Sequence, residues 1–395
     1  MRNIKLGGLN KMKDIISVES KRILGLRNIS IIFIIILIYS IYSSILSLKK
    51  YDVYDSSRDV IISSKENLKE SKKDEYKILL DEKVIKDVVE RKDKSKYLYN
   101  SVLVTLIGSN YDKNIEELTD EDISNFYNNR IATIKAKLAK RSKVKDIEKL
   151  DIDLKNVSKP IQLGYAEGWK NLNNDMTDFV TVITFFIPFL LLSIFGEDSK
   201  SNMKQLYMAT KYGKSCLVKS RVITAIGVGT IIYFIAVGIF SLCKLFVFGF
   251  EGDNLPIQNS INNFISIYNI TFFEQYIINV IVGYFAMLVL VGMTLLTTIL
   301  AGQIISSAAV VTFLLTIMTM LPNHKFEFNH YFKNFLPYHM TDFNRYYVFP
   351  EIYTMFGNIV PTYIMVIIVA ILIFIILIGS TVVISNKKTS KGWRI

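Results

Sequence analysis

The chain has 395 residues, of which 51% are hydrophobic and 21% charged, with 47 Lys and Arg against 35 Asp and Glu for a net charge of +12. Charges and apolar residues are segregated into blocks along the chain. That excludes an ordinary water-soluble domain, because about 20 uncharged apolar helical residues cross the hydrocarbon core of a bilayer.

Residues 1–28 come first, as a cytoplasmic amphipathic interfacial helix. Within NKMKDIISVESKRILGLR, Met12, Ile15, Ile16, Ile23 and Leu26 fall near one face, with Lys11, Lys13, Lys21 and Arg22 among the polar positions. The first apolar run, 29–48, reads as a retained span rather than a cleaved leader: it is long, a polar segment precedes it, and no small-x-small site follows.

Residues 49–178 form the one large polar piece. Asp122 to Lys140 carries Ile123, Tyr127, Ile131, Ile134 and Leu138 as a narrow helical seam, with Thr119 and Asp122 as its capping pair. Val84, Ile85, Val88 and Val89 make a second apolar face. The expectation is a mostly helical domain with modest cores.

Further spans are placed at 179–196, 222–243, 277–299, 304–322 and 359–385. Residues 275–324 carry no formal charge, too long a stretch for one helix, so the turn is placed at Ala301-Gly302-Gln303. By these boundaries no span interior holds Asp, Glu, Lys or Arg, which argues against coupling to an ion gradient. Pro188 is read as a kink in the second span, and Gly227 and Gly229 as sites of close helix packing.

The loop 244–276 contains Leu255-Pro256-Ile257, expected near the membrane surface. The loop 323–358 is rich in Phe, Tyr and His, which suits the interface. Its histidines, His324, His330 and His339, are read as interfacial or solvated, because their spacing is not that of a metal site. Cys216 and Cys243 lie about 40 Å apart along helix and do not pair. No internal repeat is visible.

Charge sets the orientation. With both termini inside, the cytoplasmic pieces are 1–28, 197–221, the turn at 301–303 and 386–395. They hold 17 basic and 4 acidic residues, so the whole positive excess is cytoplasmic. This topology accounts for the basic character without a nucleic-acid partner. The fold class expected is an all-α polytopic membrane protein with six spans, both termini inside, and a helical extracellular domain between spans 1 and 2.

The segment FGEDSKSNMKQLYMATKYGKSCLVKSR, between the second and third spans, holds Gly213-Lys214-Ser215, the tail of a phosphate-binding loop. The first glycine of G-x-x-x-x-G-K-[ST] is Met208 here, and the segment leads into a span, so nucleotide binding by this chain is rejected. Met203, Leu206, Tyr207 and Thr210 recur at helical spacing, Lys211-Tyr212-Gly213-Lys214 follows, and Gly213 is a suitable stop. A short amphipathic helix of this kind rests on lipid or inserts into a groove of a soluble partner.

Phe195, Glu197 and LYMATKYGKSCLVKSR together resemble the coupling loop of permease subunits of type-2 ABC exporters. Asn202 departs from the pattern, where that family often has Gly. GYAEGWKN at 164–171 and the outer NLPIQ look like the low-GC bacterial branch with a large domain between spans 1 and 2. The resemblance covers most of 1–50 and 160–395. It implies a multi-pass protein of a bacterial plasma membrane and a second permease chain, identical or related. It also implies a cytoplasmic ABC ATPase docked on 197–214 through Glu197, Met203, Leu206, Tyr207, Thr210, Lys211, Tyr212 and Lys214. No cofactor, metal or catalytic residue is implied for this chain, because ATP turnover belongs to the partner. The exported substrate would be a peptide, a lipid or an antibiotic-like molecule. The alternatives are an anchored sensor or immunity protein whose outer domain binds a peptide, and a mechanotransmitting relative with four spans.

Overall fold

The computed structural model describes residues 2–55, 60–73, 78–90, 105–108, 117–139, 157, 159–195, 216–320, 332–348, 350–351 and 353–390. Helix α1 (Arg2–Ile23) is separated from α2 (Leu26–Lys49) by Gly25, whose extended backbone (φ −56°, ψ 142°) breaks what would be one continuous helix. The short strands β1 (Val53–Asp55) and β2 (Val60–Ile62) pair antiparallel. Helix α3 (Ser64–Lys73), strand β3 (Ile78–Leu79), α4 (Glu82–Val89), α5 (Asp120–Ser124), α6 (Phe126–Ala139) and strand β4 (Gln162–Leu163) follow, with β3 and β4 paired.

Helices α7 (Glu167–Leu191) and α8 (Cys216–Phe248) come next, then α9 (Phe272–Ala301), α10 (Ile304–Met320), α11 (Pro337–Met340) and α12 (Phe343–Val348). Strands β5 (Tyr353–Met355) and β6 (Asn358–Val360) form a hairpin, and α13 (Thr362–Ser390) closes the described chain. Phe356 (φ 52°) and Gly357 (φ 83°) both take the left-handed backbone that the hairpin's two-residue turn requires.

Among the described residues five helices are long and apolar enough to cross a membrane: Asn28–Lys49, Glu167–Phe195, Cys216–Phe248, Phe272–Ala301 and Thr362–Lys387. The sixth expected span is the 17-residue apolar helix α10, which at 1.5 Å per residue is about 25 Å long. The described residues are thus mostly helical, with three two-stranded ribbons among them. The turn between α9 and α10 falls where the sequence places it. Gly302 caps α9 in the left-handed region (φ 72°), donating its N–H to the Thr298 carbonyl. Helix α9 begins at a Thr271–Glu274 capping box that the sequence reading passed over.

Helix α9 is the most enclosed of the long helices and α13 the least. Helices α7, α8, α10 and α13 pack around α9, and α2 packs against α8. Helix α8 runs antiparallel to α9, shown by Thr230 meeting Tyr284 while Ser241 meets Tyr276. Small residues set the distances. A Cβ on Gly283 would stand 2.5 Å from Tyr233 Oη and 2.6 Å from Val180 Cγ1. Gly229 is close-packed but less tight, a Cβ there standing 3.3 Å from Met287 Sδ, whereas Gly227 has nothing within 4 Å. Of the two glycines expected to pack, only Gly229 does so.

The polar insertion has its own core. Ile85 and Val88 of α4 are buried, and the expected Thr119–Asp122 capping box starts α5. The expected seam over 122–140 is interrupted: Asn125 ends α5, and the buried face of α6 is Phe126, Arg130, Ile134 and Leu138. Tyr127 and Ile131 are only partly buried. Phe264, Ile265 and Ile267 of the second loop complete this core. The insertion and the second loop therefore fold as one body, joined by Arg130, which donates to the carbonyls of Phe264 and Ser266. Burial lowers the Arg130 pKa to about 10, since only neutral carbonyls solvate its charge.

Leu255 and Ile257 of the second loop are buried in the main core. The expectation that the aromatic residues of the third loop face the interface is corrected in part: Phe343, Tyr346 and Tyr347 are fully buried, while Phe332 is exposed.

Candidate functional site

All eight residues expected to contact an ATPase, Glu197, Met203, Leu206, Tyr207, Thr210, Lys211, Tyr212 and Lys214, lie outside the described residues, as do His324 and His330. What the structure does describe is both shoulders of that segment, and they are tied together by α1. The Arg221 Nε, one turn and a half into α8, donates to Glu19 Oε1 at 2.8 Å. Glu19 Oε2 stands 3.1 Å from the Arg22 guanidinium, and Arg22 donates onward to the carbonyls of Ser193 and Ile194 at the end of the α7 segment. Arg221 also lies over the Phe195 ring, 5.5 Å from its centre.

Glu19 and Arg221 are both buried, and two opposite charges withdrawn from water in this way must remain paired. The helix α1 observed here ends at Ile23, which is buried against the bundle; Met12, Ile15 and Ile16 are half-buried. Leu26, expected on the same face, belongs to α2. In the sequence Arg22 is a polar position of the amphipathic helix, three residues after Glu19 and so within reach of it on a helix. Nothing in the sequence signals that Arg221, so far along the chain, joins them.

The opposite end of the bundle holds a second polar cluster. Lys244, placed by the sequence in an outer loop, sits inside α8 with its side chain fully buried, because the helix continues to Phe248. Its ammonium donates to the Ser43 carbonyl, to Ser47 Oγ and to Asp175 Oδ2, joining α2, α8 and α7. Three donors meet three acceptors, so burial is satisfied. The long helices α7 and α8 thus carry facing ionisable groups, Asp175 and Lys244, just beyond the expected spans 179–196 and 222–243.

One turn and more above, Tyr51 donates to Glu167 Oε2, Lys170 donates to Glu167 Oε1 at 2.9 Å, and the Asn171 side-chain amide donates to Tyr51 Oη at 2.8 Å. Burial and the adjacent Glu167 carboxylate push the Tyr51 hydroxyl well above its ordinary pKa, so it stays protonated and remains a donor. These residues line a cleft of about 290 Å³, closed on its far side by 259–262 of the second loop.

Asn173, on the same helix, donates to the Phe272 carbonyl and accepts from Asn279, whose carbonyl in turn accepts from Tyr347. The polar first turns of α7 therefore fix α2, α9 and α12. Near α12, His339 is buried rather than interfacial or solvated, and burial together with Lys333 and Arg345 lowers its pKa to about 4. Among the described residues no group of three His, Cys, Asp or Glu side chains is placed to hold a metal. Cys216 and Cys243 are free, one at the start and one near the end of α8.

The class this architecture defines is an α-helical, multi-pass membrane protein. No family model matches the chain, and no curated protein or solved structure matches it.

Proposed function

We propose that the chain is the membrane-spanning permease subunit of an ATP-driven exporter of the type-2 ABC kind. In this reading it lies in a bacterial plasma membrane, pairs with a second permease chain, and moves a peptide, a lipid or an antibiotic-like substrate. The ATPase is a separate cytoplasmic subunit gripping 197–214 through Glu197, Met203, Leu206, Tyr207, Thr210, Lys211, Tyr212 and Lys214. This chain then has no catalytic residue for ATP hydrolysis. Both termini are cytoplasmic, and the insertion between α2 and α7 faces outward.

The observation that supports the reading most is the Glu19–Arg221–Arg22 network. A loop that receives force must have stiff shoulders, or the force dissipates in local bending. Here the start of α8 is tied to α1 by the buried Glu19–Arg221 ion pair, and the end of the α7 segment is tied to it by Arg22, which donates to the Ser193 and Ile194 carbonyls. Displacement of the segment is then passed to α7 and α8 together.

The test is co-expression with ABC ATPase subunits encoded in the same genome. Co-purification of an ATPase, and ATP turnover that falls at least tenfold on Leu206→Asp or Tyr207→Asp, are the expected results. If neither substitution changes turnover or co-purification, the export reading is wrong and an anchored sensor becomes the better account.

A further inference from the structure

The cleft between Tyr51, just beyond α2, the first turns of α7 and the second loop has no role in the export reading, and its chemistry points to a ligand of its own. We propose that it binds a neutral sugar residue. This inference rests on the cleft alone and stands or falls separately from the ATPase assignment.

Its lining decides the class of ligand. Glu167 and Lys170 are the charged residues lining the cleft, and they neutralise one another at 2.9 Å. A net ionic ligand therefore finds no unbalanced counter-charge. The remaining polar lining is dominated by amides. Asn171 spends both amide hydrogens on Tyr51 Oη and the Glu167 carbonyl, which leaves its side-chain oxygen as an acceptor. Asn262 donates to Asn174 Oδ1 at 3.2 Å, which leaves the Asn262 oxygen as an acceptor and the Asn174 amide hydrogens as donors. The Lys170 ammonium retains hydrogens beyond the one given to Glu167.

The cleft thus presents separate donors and acceptors from two elements around one compact volume of about 290 Å³. A hydroxyl both donates and accepts, so a ring bearing several of them satisfies both kinds of group on several sides. A peptide group offers one donor and one acceptor on opposite edges and asks for an extended groove. Ile261, half exposed, adds one apolar wall suited to the C–H face of a sugar ring.

Position narrows the source to two. Asn171 lies eight residues before Phe179, where the uncharged run of α7 begins, so the cleft stands about 12 Å beyond that point along the helix axis. A glycolipid headgroup and a free sugar both reach this level.

The experiment uses the full chain in lipid nanodiscs and reads the thermal unfolding midpoint. One arm titrates methyl β-glucoside in solution, a second titrates monoglucosyl diacylglycerol in the disc, and control arms titrate triglycine and phosphatidylglycerol. A saturable rise in midpoint with a glucose-bearing probe is expected. A response confined to the lipid arm identifies a headgroup site, and one confined to the soluble arm a free-sugar site.

Asn262→Leu, on an exposed position, and Asn174→Leu are expected to leave the ligand-free midpoint in place. Each should raise the half-saturating concentration at least tenfold. The proposal is overturned if neither glucose-bearing probe saturates, if the response is the same in both variants, or if triglycine or phosphatidylglycerol acts at lower concentration.

Discussion

Glu19 and Arg221 stand 202 positions apart in the chain and meet at 2.8 Å, with side chains 7% and 3% exposed. The contact fixes α1 to the start of α8, and through Arg22 to the end of the α7 segment.

Glu19→Gln takes this carboxylate from the buried Arg221 and is expected to destabilise the protein by about 3–5 kcal/mol. Arg221→Met leaves Glu19 beside the Arg22 guanidinium at 3.1 Å and is expected to cost less. The double variant Glu19→Leu/Arg221→Met, which leaves no charge uncompensated between the two, should recover much of that loss. Urea or thermal unfolding in detergent of the four proteins measures the cycle. Additive losses in the double variant would show that the pair does not act as a unit.

The bundle core makes a graded prediction. Gly283→Ala forces a methyl group into Tyr233 Oη and Val180 Cγ1, contacts far below van der Waals distance. The expected cost is about 1–3 kcal/mol from overpacking. Gly227→Ala meets open space and should stay within about 0.5 kcal/mol of the parent. Equal unfolding midpoints for the two variants would contradict the helix spacing described here.

His339 predicts a pH dependence. An unfolded histidine titrates near 6.5, while the buried one, facing Lys333 and Arg345, titrates at about 4. Between those values the unfolded chain binds the proton and the folded one does not. Stability from this residue is therefore fully present above about pH 6.5 and is lost as the pH falls towards 4. Asp342, whose pKa burial raises, works in the opposite sense over the acidic part of the window. Unfolding midpoints of the parent and of His339→Gln, measured from pH 7.5 to 4.5, isolate the histidine: the variant should lose less stability across the range. Parallel curves would refute the assignment.

Much of this was legible in the chain. Uncharged runs locate the long helices because a bilayer leaves no other means of satisfying the backbone, and their length and apolarity are local properties. Gly302 as a stop and Thr119 with Asp122 as a start were readable for the same reason: each acts within one turn. Helix ends were less accessible. The membrane rule looks for the last apolar residue, whereas α7 and α8 extend through Glu167, Asp175 and Lys244, whose charges are compensated by neighbours rather than by water.

The sequence by itself therefore determined the order of the five long apolar helices, the turn at Gly302 and the position of the polar insertion. Only the tertiary structure decided which charges are buried. Lys244 is ordinary in the sequence and becomes a joint between three helices because Ser43, Ser47 and Asp175 converge on it. Glu19 reaches Arg221, and Asn171 shares a cleft with Asn262, for the same physical reason. Pairing energy depends on distance in space, and distance along the chain carries no record of it.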